Sequence, residues 1–299
     1  MKPKVSVVIP TYNEKERVAK CIESLLSQSY PQDKIEIIVV DDGSTDGTSS
    51  FIKENFPEVK LITKKNSGAY DSRNKGIAAA SGEIIALTDG DCIATKNWLK
   101  NIEKVLREKK IQVVGGKITH GNNNLLYKAT AISDFGGYLD NKEKFVTSIP
   151  TGNLAAKREI FEKFSFNSNL RSSGDRLFSW NLITAGYKLL YHPSIEIIHQ
   201  PPLKWSKFVE RKYRYGNSFV QIRKEIKTLP GAKLVQWGIF GLIALAIGRF
   251  FLDFYRMIKF RKPASVKLYE IIPLTIVLAF GRIIFLFGEL NYFFKDLKK

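Results

Sequence analysis

The sequence predicts an α/β fold with a mostly parallel sheet, followed by a C-terminal membrane-associated helical pair. Three observations predict it. Short β-branched runs alternate with helical periodicities, which is the pattern of strand–helix–strand units. Acidic residues gather just after the apolar runs, where open α/β sheets bind their ligands. Two apolar stretches of near-bilayer length lie together at the C-terminal end.

Val5–Ile9 is a β-branched run stopped by Pro10. Glu14 to Ser27 puts Val18, Ile22, Leu25 and Leu26 on one helical face, with Asn13 as the expected N-cap. Ile35–Val40 reads as a buried strand ending at Asp41-Asp42-Gly43. A helix is expected over Thr48–Asn55 and a strand over Val59–Ile62. Ser72–Ala80 follows as a helix, and Ile84–Leu87 as a strand running into Asp89-Gly90-Asp91. Asn97–Lys109 is a helix, Gln112–Ile118 a strand, Arg176–Ala185 a helix and Ile195–Ile198 a strand. The short start before Val5 does not resemble a cleaved export signal.

Leu234–Leu252 carries one charge, Arg249, and Leu268–Gly288 carries Glu270 and Arg282. Two membrane-spanning helices are the first expectation. Arg256, Lys259, Arg261, Lys262 and Lys267 between them would then lie across the membrane, against the positive-inside tendency. The alternative is a monotopic arrangement, with Phe250–Phe260 as a basic amphipathic helix lying in the interface. The expected organisation is a catalytic domain over 1–203, a basic juxtamembrane segment over 204–233 and a membrane-associated hairpin over 234–299.

The 299 residues carry 47 Lys plus Arg against 29 Asp plus Glu, a net charge of +18. That excess calls for an anionic partner. The basic cluster from Lys204 to Lys233 adjoins the apolar stretches, so an anionic membrane accounts for it without nucleic acid. Two cysteines exclude a disulfide scaffold and point to a reducing compartment. The expected location is the cytoplasmic face of the cell membrane. No dinucleotide-binding or P-loop glycine pattern occurs, nor does a serine-hydrolase or zinc-protease motif.

Asp89-Gly90-Asp91 sets two carboxylates on alternate residues after a strand, which suits Mg²⁺ or Mn²⁺ sharing its shell with substrate phosphates. Asp42, Ser44, Asp46 and Gly47 begin like a calcium loop, but its twelfth position is Lys53, and calcium is rejected. Asp46 and Thr48 are instead candidate helix caps. Arg211 and Arg214 have two readings: contact with a phosphate of donor or acceptor, or attraction to lipid headgroups alone.

Four segments in order resemble glycosyltransferase family 2, with its GT-A nucleotide-sugar-binding fold. They are Val5–Glu14 (VSVVIPTYNE), Ile38–Thr48 (IVVDDGSTDGT), Asn66-Ser-Gly with Arg73-Asn-Lys-Gly76, and Gly82–Asp91 (GEIIALTDGD). The resemblance implies that Pro10, Thr11 and Tyr12 line a nucleobase pocket, that Asp42 hydrogen-bonds the base, and that Arg73 faces the nucleotide. It implies ribose and metal–diphosphate roles for Asp89 and Asp91, and a further metal-ligand role for His199. Asp175 corresponds to the second member of the family's acidic pair and is the implied catalytic base; Gly174 stands where the first acid belongs. Gly152 and Asn153 correspond to an acceptor-side loop. Cys92 is expected to be a packed thiol.

These readings imply an inverting glycosyltransferase with a nucleotide-sugar donor, expected to be UDP-linked, and a lipid-linked or surface-glycan acceptor. A synthase acting on polyprenyl phosphate itself is the near alternative. A basic nucleic-acid-binding protein and a non-catalytic scaffold are the rivals from other classes.

Overall fold

The structure is a computed structural model, which describes residues 4–201 and 204–297. The expected boundary at residue 203 lies outside the described residues. The chain divides into two compact units: one built from residues up to Thr119 and from Asn141 to Pro201, the other from His120–Asp140 and from residue 204 onward.

The elements in chain order are β1 (Val5–Thr11), α1 (Lys15–Leu26), β2 (Ile35–Asp41), α2 (Thr48–Asn55), β3 (Lys60–Thr63), α3 (Ala69–Ala79), β4 (Ile84–Leu87), β5 (Cys92–Ala94), α4 (Trp98–Glu108) and β6 (Val113–His120). There follow α5 (Leu125–Phe135), β7 (Lys144–Val146), β8 (Leu154–Lys157), α6 (Arg158–Lys163), α7 (Gly174–Thr184), β9 (Leu189–His199), α8 (Trp205–Glu225), α9 (Ala232–Gln236), α10 (Gly238–Lys259) and α11 (Ile271–Leu297).

In the first unit the sheet runs β3-β2-β1-β4-β8-β6-β9-β5, with β7 added on β9. The strands β3, β2, β1 and β4 are parallel, as their helical connections require. Beyond β4 the sheet is mixed: β8 is antiparallel to β4 and β6, while β5 and β7 are antiparallel to β9. Val7, Val8 and Ile9 of β1, and Ile38, Val39 and Val40 of β2, are wholly buried, as central strands covered on both faces should be. Each such side chain contributes about 1.5–3 kcal/mol of apolar burial. Gly76 lets α3 lie directly on the sheet, since a β-carbon there would fall 2.4 Å from Val8 Cγ1 and 3.1 Å from Val40 Cγ2. One turn earlier on α3, Arg73 is thereby held at the strand ends.

Two expected caps differ. Asn13 has φ +51° and is not the cap of α1; Glu14 is, while Asn13 Oδ1 accepts the Thr45 N–H at 2.8 Å and ties the β1 loop to the β2 loop. Asp46 does serve the next helix, its Oδ1 accepting the Thr48 N–H at 3.1 Å.

The second unit is helical. His120–Asp140, expected inside the catalytic domain, belongs here because Leu126, Ala129 and Ile132 of α5 share a core with Phe208, Met257, Leu274 and Leu278. The segments expected as a separate juxtamembrane stretch and a hairpin form one packed unit. Several of its charges are internal. Asp253 and Glu289 are fully buried, the first bonded by Arg282 at 2.6 and 2.7 Å, the second by Arg249 at 2.8 Å. Asp134 of α5 is paired with Lys212 and lies 3.8 Å from Arg211 Nη2. Phe240, Phe251, Ile272, Ile276 and Phe287 point outward. The expected interface helix Phe250–Phe260 is not separate; α10 is continuous from Gly238 to Lys259. Both α10 and α11 are long and apolar enough to cross a membrane.

Candidate active site

The parallel register sets the C-terminal ends of β1, β2 and β4 side by side: Thr11 pairs with Asp41, and Val8 with Leu87. The acidic residues that follow are therefore neighbours. Asp41 is spent on the fold, accepting the Ser44 N–H at 3.0 Å and hydroxyls from Ser44 and Ser49.

Asp42 is also largely committed. Its Oδ1 accepts the Ser67 N–H at 2.9 Å and a bond from Lys64 Nζ, and its Oδ2 accepts the Gly68 N–H at 2.8 Å. A carboxylate has about four lone-pair sites, so three donors leave one for a ligand. These bonds close the loop into α3. Pro10 and Thr11 are buried at the end of β1. Tyr12, at 49% exposure, is the member of that trio with an open ring face.

Arg73 is buried and paired with Asp89. Gly152 backs this carboxylate closely: a β-carbon there would sit 3.0 Å from Asp89 Oδ2. Asn153 is buried, and its amide makes three hydrogen bonds within the fold. Oδ1 accepts from Trp98 Nε1 at 2.9 Å, while Nδ2 donates to the carbonyls of Lys117 and Ile195 at 2.9 and 3.0 Å.

On the other side of Gly90, Asp91 Oδ2 lies 3.4 Å from His199 Nε2. The antiparallel pairing of Cys92 with His199 in β5 and β9 creates this approach, and the Gln200 N–H donates to the Asp91 carbonyl at 2.7 Å. One ligand atom each from Asp91, Cys92 and His199 lie within 4.8 Å of one another. Burial, with Asp91 and Asp89 adding to it, pushes the Cys92 thiol well up. Hard cations such as Mg²⁺ and Mn²⁺ favour the oxygen and imidazole donors beside it.

A third carboxylate, to which the sequence reading gave no role, completes the cluster. Glu14 lies against Gly90, where a β-carbon would meet Glu14 Oε1 at 2.5 Å. Burial raises its pKa to about 8, the nearby Asp91 and Asp89 charges adding to the effect while Arg17 opposes it. The only sequence signal was its place four residues after Pro10 in the Tyr12-Asn13-Glu14 turn. Three carboxylates around one glycine, one of them driven to hold a proton, make a site short of positive charge. That is the electrostatic requirement of a divalent cation, and oxygen ligands with one imidazole suit Mn²⁺ or Mg²⁺.

Asp175 stands in the first turn of α7, where Ser173 (φ +63°) rather than Asp175 is the cap. Burial raises the Asp175 pKa; Arg176 and Arg73 pull it down and Asp89 pushes it up. Asp175 thus shares one electrostatic environment with the Arg73–Asp89 pair. Arg171 was also missed. Its Nη1 would lie 2.8 Å from a β-carbon on Gly68, so an exposed guanidinium caps the loop that Asp42 closes.

Arg211 and Arg214 belong to the helical unit. Arg211 donates to Thr130 Oγ1 at 3.0 Å beside Asp134, which gives it a bracing role in place of the expected phosphate contact. Arg214 is more exposed, 3.9 Å from Glu210.

The acids that follow β1, β2 and β4 thus gather at the strand ends, the ligand-binding edge of an open α/β sheet. Residues 6–165 match the model of glycosyl transferase family 2, more than half of the chain, and the chain belongs to that family. It is a glycosyltransferase with a GT-A catalytic unit. Among its relatives, Glycosyltransferase AglE of Haloferax volcanii is 31% identical over 231 residues, 74% of each chain. A dolichyl N-acetyl-alpha-D-glucosaminyl phosphate 3-beta-D-2,3-diacetamido-2,3-dideoxy-beta-D-glucuronosyltransferase of Methanococcus voltae is 28% identical over 229 residues, 71% of each. The mannosyltransferase PcManGT of Pyrobaculum calidifontis, solved with GDP-Man and Mn²⁺, superimposes with a TM-score of 0.65 at 18% identity, covering 99% of this chain and 88% of its own.

Proposed function

We propose that this glycosyltransferase moves a sugar, with inversion, from a nucleoside-diphosphate donor to a lipid-linked saccharide at the cytoplasmic face of a membrane. The observation that carries this reading is the grouping of Asp175 with Arg73 and Asp89 at the strand ends, beside the Glu14–Asp91–His199 cluster.

Tyr12 stacks the base, and the remaining lone pair of Asp42 accepts one N–H from it. Arg73 and Arg171 supply positive charge to the donor's ribose and phosphates. Asp91, with Asp89 and His199 beside it, would hold a divalent cation whose charge, when bound, offsets that of the departing diphosphate. Asp175, its carboxyl made more basic by burial, takes the proton from the acceptor hydroxyl. The hydroxyl oxygen bonds to the anomeric carbon from the face opposite the diphosphate, the carbon–oxygen bond to the diphosphate breaks, and the configuration inverts. General-base help of this kind is worth roughly 10²–10⁴ in rate.

The name of the Methanococcus voltae relative favours an already glycosylated lipid phosphate as acceptor over bare polyprenyl phosphate. The donor base is tested with both UDP- and GDP-sugars, since PcManGT was solved with GDP-Man. The experiment is a panel of such donors, with Mn²⁺ or Mg²⁺ and polyprenyl-linked acceptors, read by mass of the lipid product. Asp175→Asn should abolish transfer while donor binding persists; unchanged turnover would sink the assignment of the base.

A further inference from the structure

We propose that the C-terminal helical unit lies in the plane of the membrane interface and does not cross the bilayer. The inference rests on the membrane association proposed above and goes beyond it, because length and composition alone permit both α10 and α11 to span.

The deciding element is α8. It runs parallel to the C-terminal part of α11, from Phe280 onward. Gly281 meets Phe208, Gly288 meets the Tyr213 carbonyl, Asn291 Nδ2 donates to Asn217 Oδ1 at 2.9 Å, and Lys224 Nζ donates to Asp296 Oδ2 at 2.7 Å. The backbones touch: a β-carbon on Gly216 would lie 2.0 Å from the Phe285 carbonyl oxygen. A helix packed this closely along a spanning partner spans as well.

The outer face of α8 forbids that. Lys207, Glu210 and Arg214 are exposed, Asn217 and Gln221 are half-buried, and Glu225 is exposed again. At three- and four-residue spacing these form one polar line down the 21-residue helix, about 30 Å long. With α11 spanning, Lys207, Glu210 and Arg214, which lie beside its apolar stretch from Phe280 to Gly288, would face hydrocarbon, where charged side chains are strongly disfavoured.

Lying flat removes the conflict. The polar line of α8 faces water and headgroups. The outward face of α11 (Ile272, Ile276, Phe280, Ile283 and Phe287) is apolar as far as Asn291 and enters the acyl region. A mostly apolar groove of about 720 Å³, lined by Trp205 and Tyr213 of α8 and by Phe280 and Phe287 of α11, with Ser206 and Glu210 of the polar side also on its wall, continues that face. The internal pairs Arg249–Glu289 and Arg282–Asp253 stay covered. Lys259, Arg261, Lys262 and Lys267 remain at the headgroups, so the basic loop no longer violates the positive-inside tendency. The occupant of the apolar face is therefore an anionic lipid surface, met by charge and apolar area together.

Full-length Lys207→Cys and Lys262→Cys proteins, in sealed membrane vesicles, are treated with a membrane-impermeant maleimide before and after permeabilisation. Cys21 and Cys92 are buried, and the unsubstituted protein serves as blank. Ser265→Cys, a near-isosteric change at an exposed loop position, repeats the loop reading if Lys262→Cys misfolds. In-plane binding predicts that the α8 and loop cysteines label from the same face, with permeabilisation changing their ratio by less than twofold. Labelling of the two from opposite faces overturns the proposal and leaves membrane association standing. Failure of the detergent-free protein to float with phosphatidylglycerol-containing liposomes overturns membrane association, and the proposal with it.

Discussion

Tyr70 and Gly174 are fitted to one another. The Tyr70 hydroxyl accepts the Gly174 N–H at 2.8 Å, and the ring stands so close that a β-carbon on Gly174 would lie 2.6 Å from two of its carbons. The contact joins the first turn of α3, which carries Arg73, to the first turn of α7, which carries Asp175. It also explains why glycine occupies the place of the first acid of the family's pair: a side chain there has no room beside this tyrosine.

Gly174→Ala should therefore destabilise the protein by about 1–3 kcal/mol through overpacking and slow transfer, with donor binding little changed. Combining it with Tyr70→Ala should recover part of the stability. Thermal unfolding and transfer rates of the two single variants and the double variant measure this coupling.

Metal dependence should follow Asp91 and His199. Asp91→Asn and His199→Gln should each weaken Mn²⁺ binding by about 10-fold or more, since even partners behind a ligand are worth that much. Calorimetric titration of Mn²⁺ reads the effect without substrate. An unchanged affinity in His199→Gln would leave the histidine a packing residue of β9.

Glu14 gives the metal-free protein a pH dependence of definite sign. Folding raises its pKa from 4.5 to about 8, so between those values the folded chain binds a proton that the unfolded chain does not. Stability contributed here is full below about 4.5 and is lost as pH rises towards about 8. Glu14→Gln should flatten this decline. Melting temperatures of both proteins from pH 5 to pH 9 in chelator should converge at the acid end, with the variant the more stable at the alkaline end.

In the helical unit, burial alone would raise the Asp134 pKa, but the charges of Lys212 and Arg211 hold it down at about 2. Asp134→Asn leaves Lys212 buried without its anion and should cost about 3–5 kcal/mol. Adding Lys212→Met should restore most of that loss in a denaturant titration.

The parallel half of the sheet was legible because its strands are continuous β-branched runs ended by acidic or turn residues. The sequence places Ile84–Leu87 and Thr48–Asn55 where the structure does. The antiparallel half was less so: β5, β7 and β8 are only three or four residues long, too short for periodicity to register. Asp89, Asp91 and Asp175 were visible as acids after apolar runs or at a helix start. Glu14 was not, because its role arises from packing on a glycine 76 positions away in the chain. The placement of α5 with the C-terminal helices was equally hidden, since its local pattern suits either unit.

The arrangement of Arg249, Asp253, Arg282 and Glu289 has a last consequence. With ionic partners turned inward, the helical layer carries its own cohesion. The packing of α8, α10 and α11 is fixed by these buried ion pairs as well as by apolar contact.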